Sequence, residues 1–158
     1  MEVEKKEIKM LSVDSITPYE RNPRKHPEIQ IEQLKNSIRQ WGWTVPILVD
    51  EGDQVIAGHG RLYAAKELGI ESVPCITADG WSDEQKKAYV IADNKLAEGG
   101  EWDTSIYYSE LKSLSSAGFD LNLVGFDSGI SLDFEPNLSP STSFADISED
   151  DMGNAQSS

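Results

Sequence analysis

The sequence predicts one small α+β domain, a helical extension after it, and an acidic tail. Short β-branched runs alternate with segments in which apolar residues recur at helical spacing. A chain of 158 residues is long enough for one ordinary core. Its hydrophobic content of 38% is low for a compact globule, so we expect part of the chain to lie outside that core.

Four runs rich in β-branched residues predict the strands of a small mixed sheet. The segment Glu51-Gly52-Asp53 between the second and third run is typical of a turn, so these two strands are expected to form a hairpin. The loop after the first strand contains Pro18, Pro23 and Pro27, which block a helix through it. The predicted strands are Ile8 to Val13, Val45 to Val49, Gln54 to Ala57 and Val73 to Thr77.

The first two predicted helices have clear ends. One contains Ile31, Leu34, Ile38 and Trp41 at helical spacing, with Pro27 before it and Gly42 after it. Pro27 suits a first helical position. The second helix runs from Arg61 to Leu68, and Gly69 follows it as a C-terminal cap.

Two further helices begin at capping residues. Ser82 and Gln85 have the spacing of a capping box, and the helix they begin is expected to extend to about Leu96. Asp103 or Thr104 begins the next helix, which ends before Gly118. We therefore expect the domain over residues 1–98 and its helical extension over 99–135.

The acidic charge is concentrated at the C-terminal end. Of the net charge of −14, residues 101–158 contribute −10, from 11 acidic residues and Lys112. The segment 136–158 is rich in serine and acidic residues, so we expect it to be disordered. Strong binding to nucleic acid requires the opposite sign of charge, so direct DNA binding is expected to be weak or indirect.

The remaining composition excludes several classes of protein. Cys75 is the one cysteine, so no internal disulfide and no cysteine-based zinc site is expected. His26 and His59 are too few to form a metal cluster. No apolar run is long enough to span a membrane and the first residues do not form a signal peptide, so we expect a cytoplasmic protein.

The segment Gly58-His59-Gly60-Arg61 between a strand and a helix is the main candidate site. Backbone N–H groups at a helix start have no helical acceptor and favour an anion. The glycines permit close approach and positive φ, and Arg61 offers two donors to a phosphate. His59 is expected to donate a hydrogen bond or to act as a base near neutral pH. The alternative is a tight turn with a solvated Arg61.

Several motifs in register favour the phosphate interpretation. They are Asn22-Pro23-Arg24-Lys25, Trp41-Gly42, Pro46-Ile47-Leu48-Val49, residues 55–61, Ala64-Ala65, Leu68-Gly69 and Val73-Pro74. In this order, between residues 8 and 98, the chain resembles the N-terminal domain of ParB-type partition proteins. The nearest resemblance is to ParB-like domains of phages and mobile elements, which often occur beside DNA methyltransferases.

The resemblance implies a ParB/sulfiredoxin-like fold that binds CTP or ATP with Mg²⁺. It implies that residues 58–61 hold phosphates, that Arg24 lines the same cleft, and that Asp93 and Asn94 lie near the metal and phosphates. Carboxylate, amide and phosphate oxygens suit Mg²⁺. Three features depart from the pattern. Ala97 stands where partition proteins have an arginine, Asp93 replaces a glutamate, and the turn lacks the sulfiredoxin cysteine.

Three functions stay open at this point. The first is a nucleotide-binding switch or accessory factor in phage or mobile-element DNA transactions, whose acidic tail contacts a protein partner and whose helices could form a homodimer. The second is an NTPase, nuclease or phosphoryl-transfer enzyme in which His59 or Asp93 is catalytic. The third is an acidic decoy that imitates nucleic acid.

Overall fold

The computed structural model describes residues 1–22 and 25–125. The chain divides into two compact units, residues 1–98 and residues 99–158. Of the second unit, only residues up to Gly125 are described. The predicted disordered tail, 136–158, lies outside the described residues. Among these residues, no helix is both long and apolar enough to cross a bilayer.

The first unit combines a sheet with three α-helices in the part of it that is described, and this confirms the predicted α+β class. A short 3-10 turn, Val13–Ser15, follows the first strand. The elements are β1 (Lys9–Ser12), α1 (Glu28–Trp41), β2 (Ile47–Val49), β3 (Val55–Ala57), α2 (His59–Leu68), β4 (Ser72–Thr77) and α3 (Asp83–Glu98). Each lies within a few residues of its predicted position.

The sheet is mixed, as predicted, with the strand order β1-β4-β2-β3. The outer pairs are antiparallel, while the central strands β2 and β4 are parallel. Strands β2 and β3 form the predicted hairpin. Its turn is held by the Asp50 carboxylate, whose Oδ1 accepts hydrogen bonds from the N–H groups of Gly52 (2.8 Å) and Gln54 (2.9 Å).

Alternate residues of the strands enter two separate cores. Val55 of β3 packs in a cluster with Leu62 and Ala65 of α2, together with buried residues of β2 and β4. The next residue, Ile56, packs instead with Val90 of α3. Because successive side chains of a strand point to opposite faces, α2 and α3 cover the two faces of the sheet. The helix α2 begins directly after β3, and α3 packs against β3 through Val90.

The start of α3 is fixed by capping and by the hairpin. The Ser82 N–H donates to Gln85 Oε1 (2.8 Å), and the Gln85 N–H donates to Ser82 Oγ (3.1 Å), which confirms the predicted capping box. The N–H of Gly80 donates to Glu51 Oε1 at the hairpin tip (2.7 Å). Lys86 Nζ lies 3.5 Å from the other Glu51 oxygen. The hairpin and the first turn of α3 are thus tied together.

The start of α1 differs from the prediction by one residue. Pro27 is extended, at φ −64° and ψ 155°, and is the N-cap of α1 rather than its first helical residue. Its carbonyl oxygen accepts from the N–H groups of Gln30 (2.9 Å) and Ile31 (3.2 Å). A proline suits this position because it has no N–H to lose and a fixed φ.

The described part of the second unit contains α4 (Thr104–Ser116) and a 3-10 turn, Leu121–Val124. Asp103 is the N-cap of α4, and its side chain accepts a hydrogen bond from the N–H of Ile106 (3.1 Å). Trp102 stacks on Tyr107 of the first turn, with ring centroids 4.4 Å apart. The predicted helix after Asp103 is confirmed.

Candidate phosphate-binding site

A cavity of about 270 Å³ opens where β3 ends and α2 begins. Its walls come from the loop before α1, from α1, from the turn at residues 58–61 and from one face of α3. All of these belong to the first unit. The lining residues are Asn22, His26, Gln30, Leu34, Ile56, Ala57, Gly58, His59, Gly60, Arg61, Val90, Asp93 and Asn94.

Gly58 is the N-cap of α2 and has a conformation that requires glycine. Its φ is +108° and its ψ is 23°. A Cβ at this position would also lie 3.2 Å from Ile47 Cγ1 and 3.4 Å from the Ile47 Cα. The Gly58 carbonyl oxygen accepts the hydrogen bond that opens the helix, from the Leu62 N–H (3.0 Å). The amides of residues 59–61 precede that bond and have no acceptor within the helix.

Gly60 serves a different purpose from Gly58. The sequence predicted positive φ at both glycines, but Gly60 lies inside α2 and is not in the left-handed region. A Cβ on Gly60 would lie 2.8 Å from Leu34 Cδ1 and 3.1 Å from His26 Nδ1. The absence of a side chain at Gly60 therefore allows α1 and the His26 ring to approach the first turn of α2.

Arg61 lies in the first turn of α2, is half-buried and lines the cavity. Within residues 1–22 and 25–125, the ion pairs are formed by lysines and do not include Arg61. The guanidinium thus adds a positive charge to the N-terminal end of α2, where the helix dipole is also positive. This arrangement favours an anion with several oxygens, such as phosphate.

His59 is held in the neutral state by its surroundings. Its side chain is only 4% exposed, and its Nε2 accepts a hydrogen bond from the Tyr19 N–H (3.1 Å). Burial, and to a smaller degree the nearby His26, lower the pKa of His59 to about 4. The sequence suggested a base that titrates near neutral pH, and burial is the physical reason why this ring does not. His59 anchors the loop before α1 onto the turn at residues 58–61, the proposed phosphate turn.

Asp93 and Asn94 lie next to each other on α3 and both line the cavity. Asp93 is exposed, whereas Asn94 is half-buried and its Nδ2 donates to the Val90 carbonyl oxygen (2.7 Å). The described residues contain no group of three histidine, cysteine or acidic side chains that could hold a metal ion. A carboxylate and an amide oxygen do fit Mg²⁺ when phosphate oxygens complete its coordination.

The structure brings together the predicted residues 58–61, Asp93 and Asn94. Arg24 lies outside the described residues, so its predicted place in the cleft stays a prediction. His26, Gln30 and Leu34 line the cavity as well, and sequence reasoning missed them. His26 directly follows the motif Asn22-Pro23-Arg24-Lys25, and this position is the signal in the sequence that points to the cleft.

The fold agrees with that of known proteins. Residues 1–95 match the ParB N-terminal domain. Since this match covers more than half of the chain, the chain belongs to the ParB N-terminal domain family. Among solved structures, C-terminally truncated ParB of Caulobacter crescentus complexed with CTP-γ-S aligns with a TM-score of 0.60 and 22% identity. The alignment covers 77% of this chain and 72% of that chain, and it shows the shared fold.

Two relatives illustrate the range of the family. The ParB-like nuclease domain-containing protein YnaK of Escherichia coli is 46% identical over 84 residues, which are 53% of this chain and 97% of YnaK. The probable chromosome-partitioning protein ParB of Rickettsia bellii is 40% identical over 70 residues, which are 44% of this chain and 24% of that protein. The similarity to the partitioning protein thus spans about a quarter of its length.

Proposed function

We propose that this chain binds a nucleoside triphosphate, with CTP as the first candidate, and acts as a nucleotide-dependent switch or accessory factor in DNA transactions of phages or mobile elements. The observation that carries the proposal is the cavity at the start of α2, which is lined by residues 58–60 and Arg61. The first amides of a helix have no acceptor within it and favour an anion. The Caulobacter relative with the same fold is complexed with CTP-γ-S, which supports CTP over ATP.

In this proposal the two sides of the cavity have separate tasks. The amides of residues 59–61 and the Arg61 guanidinium bind phosphate oxygens, because both are donors that need no proton transfer. Asp93 and Asn94 on α3 would hold Mg²⁺, which neutralises phosphate charge. Arg24 is proposed as a further contact from the loop before α1. Base recognition would fall to groups beyond the phosphate turn.

The buried state of His59 favours a switch over an enzyme. A general base works best with a pKa near the operating pH, whereas the pKa of His59 lies at about 4 and its Nε2 is already bonded. Of the two proposed catalytic residues, His59 is buried, whereas Asp93 is exposed and lines the cavity. We therefore propose Asp93 as a metal ligand and His59 as a structural anchor.

Calorimetric titration with CTP, ATP, GTP and UTP, each with and without Mg²⁺, tests the proposal. We expect micromolar binding of CTP that Arg61→Ala weakens about tenfold or more, since a charge-assisted bidentate contact is lost. Lys66→Ala removes a charge from the opposite end of the same helix and is the matched control, with unchanged affinity expected. Absence of binding by all four nucleotides would contradict the proposal.

The metal site has its own test. Asp93→Asn is expected to reduce the gain in affinity that Mg²⁺ gives, while leaving metal-free binding in place. Glu84→Gln removes an exposed carboxylate from the first turn of the same helix and is the control. If Asp93→Asn leaves the Mg²⁺ dependence intact, the carboxylate is not a ligand of the ion.

A nuclease activity is the second candidate, and the observation that favours it is the name of the 46% identical Escherichia coli relative. Plasmid nicking and phosphate release by the purified protein, compared with Arg61→Ala, would identify it. Activity that Arg61→Ala does not reduce would point to a contaminant rather than to this cavity.

The acidic end of the chain is proposed to contact a protein partner. Its net charge of −10 over residues 101–158 suits a basic protein surface better than DNA. Deletion of residues 136–158 is expected to weaken capture of that partner and to leave nucleotide affinity unchanged. If the chain is instead an acidic decoy, the deletion abolishes partner binding while Arg61→Ala leaves partner binding unchanged.

Homodimerisation, also expected from the sequence, would appear as a doubled mass in solution.

A further inference from the structure

A second histidine lies at the phosphate turn, and its ring is oriented by a specific contact. His26 is half-buried just before α1, and its Nδ1 lies 2.7 Å from Oε1 of Gln30, one turn into the helix. A carboxamide oxygen only accepts hydrogen bonds, so Nδ1–H donates to it, and a second donor at Nε2 requires the doubly protonated ring. This contact leaves Nε2 as the ring nitrogen that faces away from Gln30.

The missing side chain of Gly60 brings this ring to the start of α2. The position that a Gly60 Cβ would occupy lies 3.1 Å from His26 Nδ1 and 3.3 Å from His26 Cε1. Tyr63, one turn further along α2, meets the edge of the ring, with centroids 6.5 Å apart. The ring is therefore held between α1 and the first turns of α2, and it lines the same cavity as Arg61.

From this arrangement we infer that His26 is a ligand of the bound phosphate group, through Nε2–H, and that Gln30 is the residue that orients it. The inference rests on the proposed function, because the ligand is the phosphate of the nucleotide. Its geometric basis is that two donors of different kinds, the imidazole and the helix amides, line one cavity from two separate elements.

The charges around the ring are compatible with this role. Among the described residues, the charged or titratable side chains that line the cavity with His26 are those of Arg61, His59 and Asp93, and His59 is neutral at physiological pH. A phosphate group brings at least one negative charge next to the ring. A doubly protonated ring would donate to Gln30 through Nδ1–H and to the phosphate through Nε2–H, and a charge-assisted hydrogen bond is stronger than a neutral one.

The test compares ligands that differ only in phosphate number. CTP, CDP, CMP and cytidine are titrated into the full chain and into His26→Asn. We expect His26→Asn to bind CTP about tenfold more weakly than the unmodified protein. This difference in affinity should vanish for the shorter ligand that lacks the phosphate contacted by His26. A merely structural defect would weaken all four ligands alike. Gln30→Ala keeps the imidazole, so it should give a smaller loss.

Imidazole NMR of the unmodified protein gives an independent readout. The chain has two histidines, so the His26 signals are assigned by their loss in His26→Asn. We expect the His26 Nε2 resonance to shift in a saturable manner as CTP is added, while that of the bonded His59 Nε2 shifts less.

The outcomes separate the two proposals. If the unmodified protein binds no nucleotide, both are overturned. If Arg61→Ala loses binding while His26→Asn binds CTP as tightly as the unmodified protein, the cavity binds the nucleotide and His26 is not its ligand. Equal losses by His26→Asn for cytidine and CTP would assign His26 a packing role and overturn the inference.

Discussion

At the scale of single residues, the phosphate turn depends on two glycines for two different reasons. Gly58 supplies a backbone conformation, at φ +108°, that other residues rarely adopt, whereas Gly60 supplies space for α1. The sequence alone does not distinguish the structural roles of two glycines in one turn. They are distinguished only by the neighbours that a Cβ would meet, which are Ile47 of β2 at one position and Leu34 of α1 at the other.

Replacement of Gly58 should therefore be costly. Gly58→Ala is expected to lower the free energy of unfolding by about 2 kcal/mol or more, from positive φ and from crowding against the Ile47 backbone. Gly69→Ala is the matched control, because Gly69 also has positive φ, at +71°, but open space around it. For Gly69→Ala we expect the free energy of unfolding to fall by about 1 kcal/mol. Urea denaturation measures both, and equal losses would show that crowding at Ile47 is unimportant.

The buried His59 predicts a pH dependence of stability. Its pKa is about 4 in the folded chain and near 6.5 when unfolded, so below pH 6.5 the unfolded chain takes up a proton that the folded chain does not. The free energy of unfolding should thus fall by about 2 kcal/mol between pH 7 and pH 5. Above pH 7 the free energy of unfolding should have its full value again.

Urea denaturation at a series of pH values measures this effect. His59→Gln should flatten the decline between pH 7 and pH 5, whereas His26→Asn should retain most of it. A decline of the same slope in His59→Gln would mean that other groups cause it.

At the scale of elements, α3 carries Asp93 and Asn94, the proposed ligands of Mg²⁺, and its position depends on its first turn. The capping box of Ser82 and Gln85 and the contact between Glu51 and the Gly80 N–H fix that turn against the hairpin. Acceptance of this N–H is the main reason why the pKa of Glu51 lies below its ordinary value. Asp93 lies further along the helix, so its place in the cavity follows from this attachment.

Loss of the cap should be measurable. Ser82→Ala removes the acceptor for the Gln85 N–H and is expected to lower the free energy of unfolding by about 1 kcal/mol. Ser109→Ala, at an exposed position within α4, is the control and should be neutral or slightly stabilising, since alanine is the better helix former. Thermal denaturation followed by circular dichroism compares the two variants. A neutral effect of Ser82→Ala would show that the hairpin contacts hold α3 without the cap.

At the scale of the whole molecule, the cavity belongs entirely to the first of the two compact units. Its lining runs from Asn22 to Asn94, and the first unit ends at Glu98. The family match likewise covers residues 1–95. Nucleotide binding and the acidic end of the chain are therefore expected to be separable.

A fragment of residues 1–98 tests this separation. We expect it to fold and to bind CTP within about threefold of the affinity of the full chain, because no lining residue is removed. Calorimetry on both proteins, with circular dichroism as a check on folding, makes the comparison. A folded fragment without affinity would show that residues beyond Glu98 contribute to the site.

Local patterns in the sequence determined the α+β class, the order of strands and helices along the chain, and the glycine-rich turn at residues 58–61. The hairpin at Glu51-Gly52-Asp53, the capping box at Ser82 and the N-cap at Asp103 depend on residues within a few positions of one another, which a sequence displays directly. The family resemblance added Asp93 and Asn94, and the structure places both at the cavity with residues 58–61.

Only the tertiary structure decided how His26 and His59 differ. Tyr19 lies 40 residues from His59 in the chain, and its N–H occupies the His59 Nε2, while burial keeps that ring neutral. The approach of α1 to Gly60 places His26 at the cavity. Burial and long-range contacts set the charge and the free hydrogen-bonding atoms of a side chain. These depend on packing between distant segments, so a local pattern does not contain them.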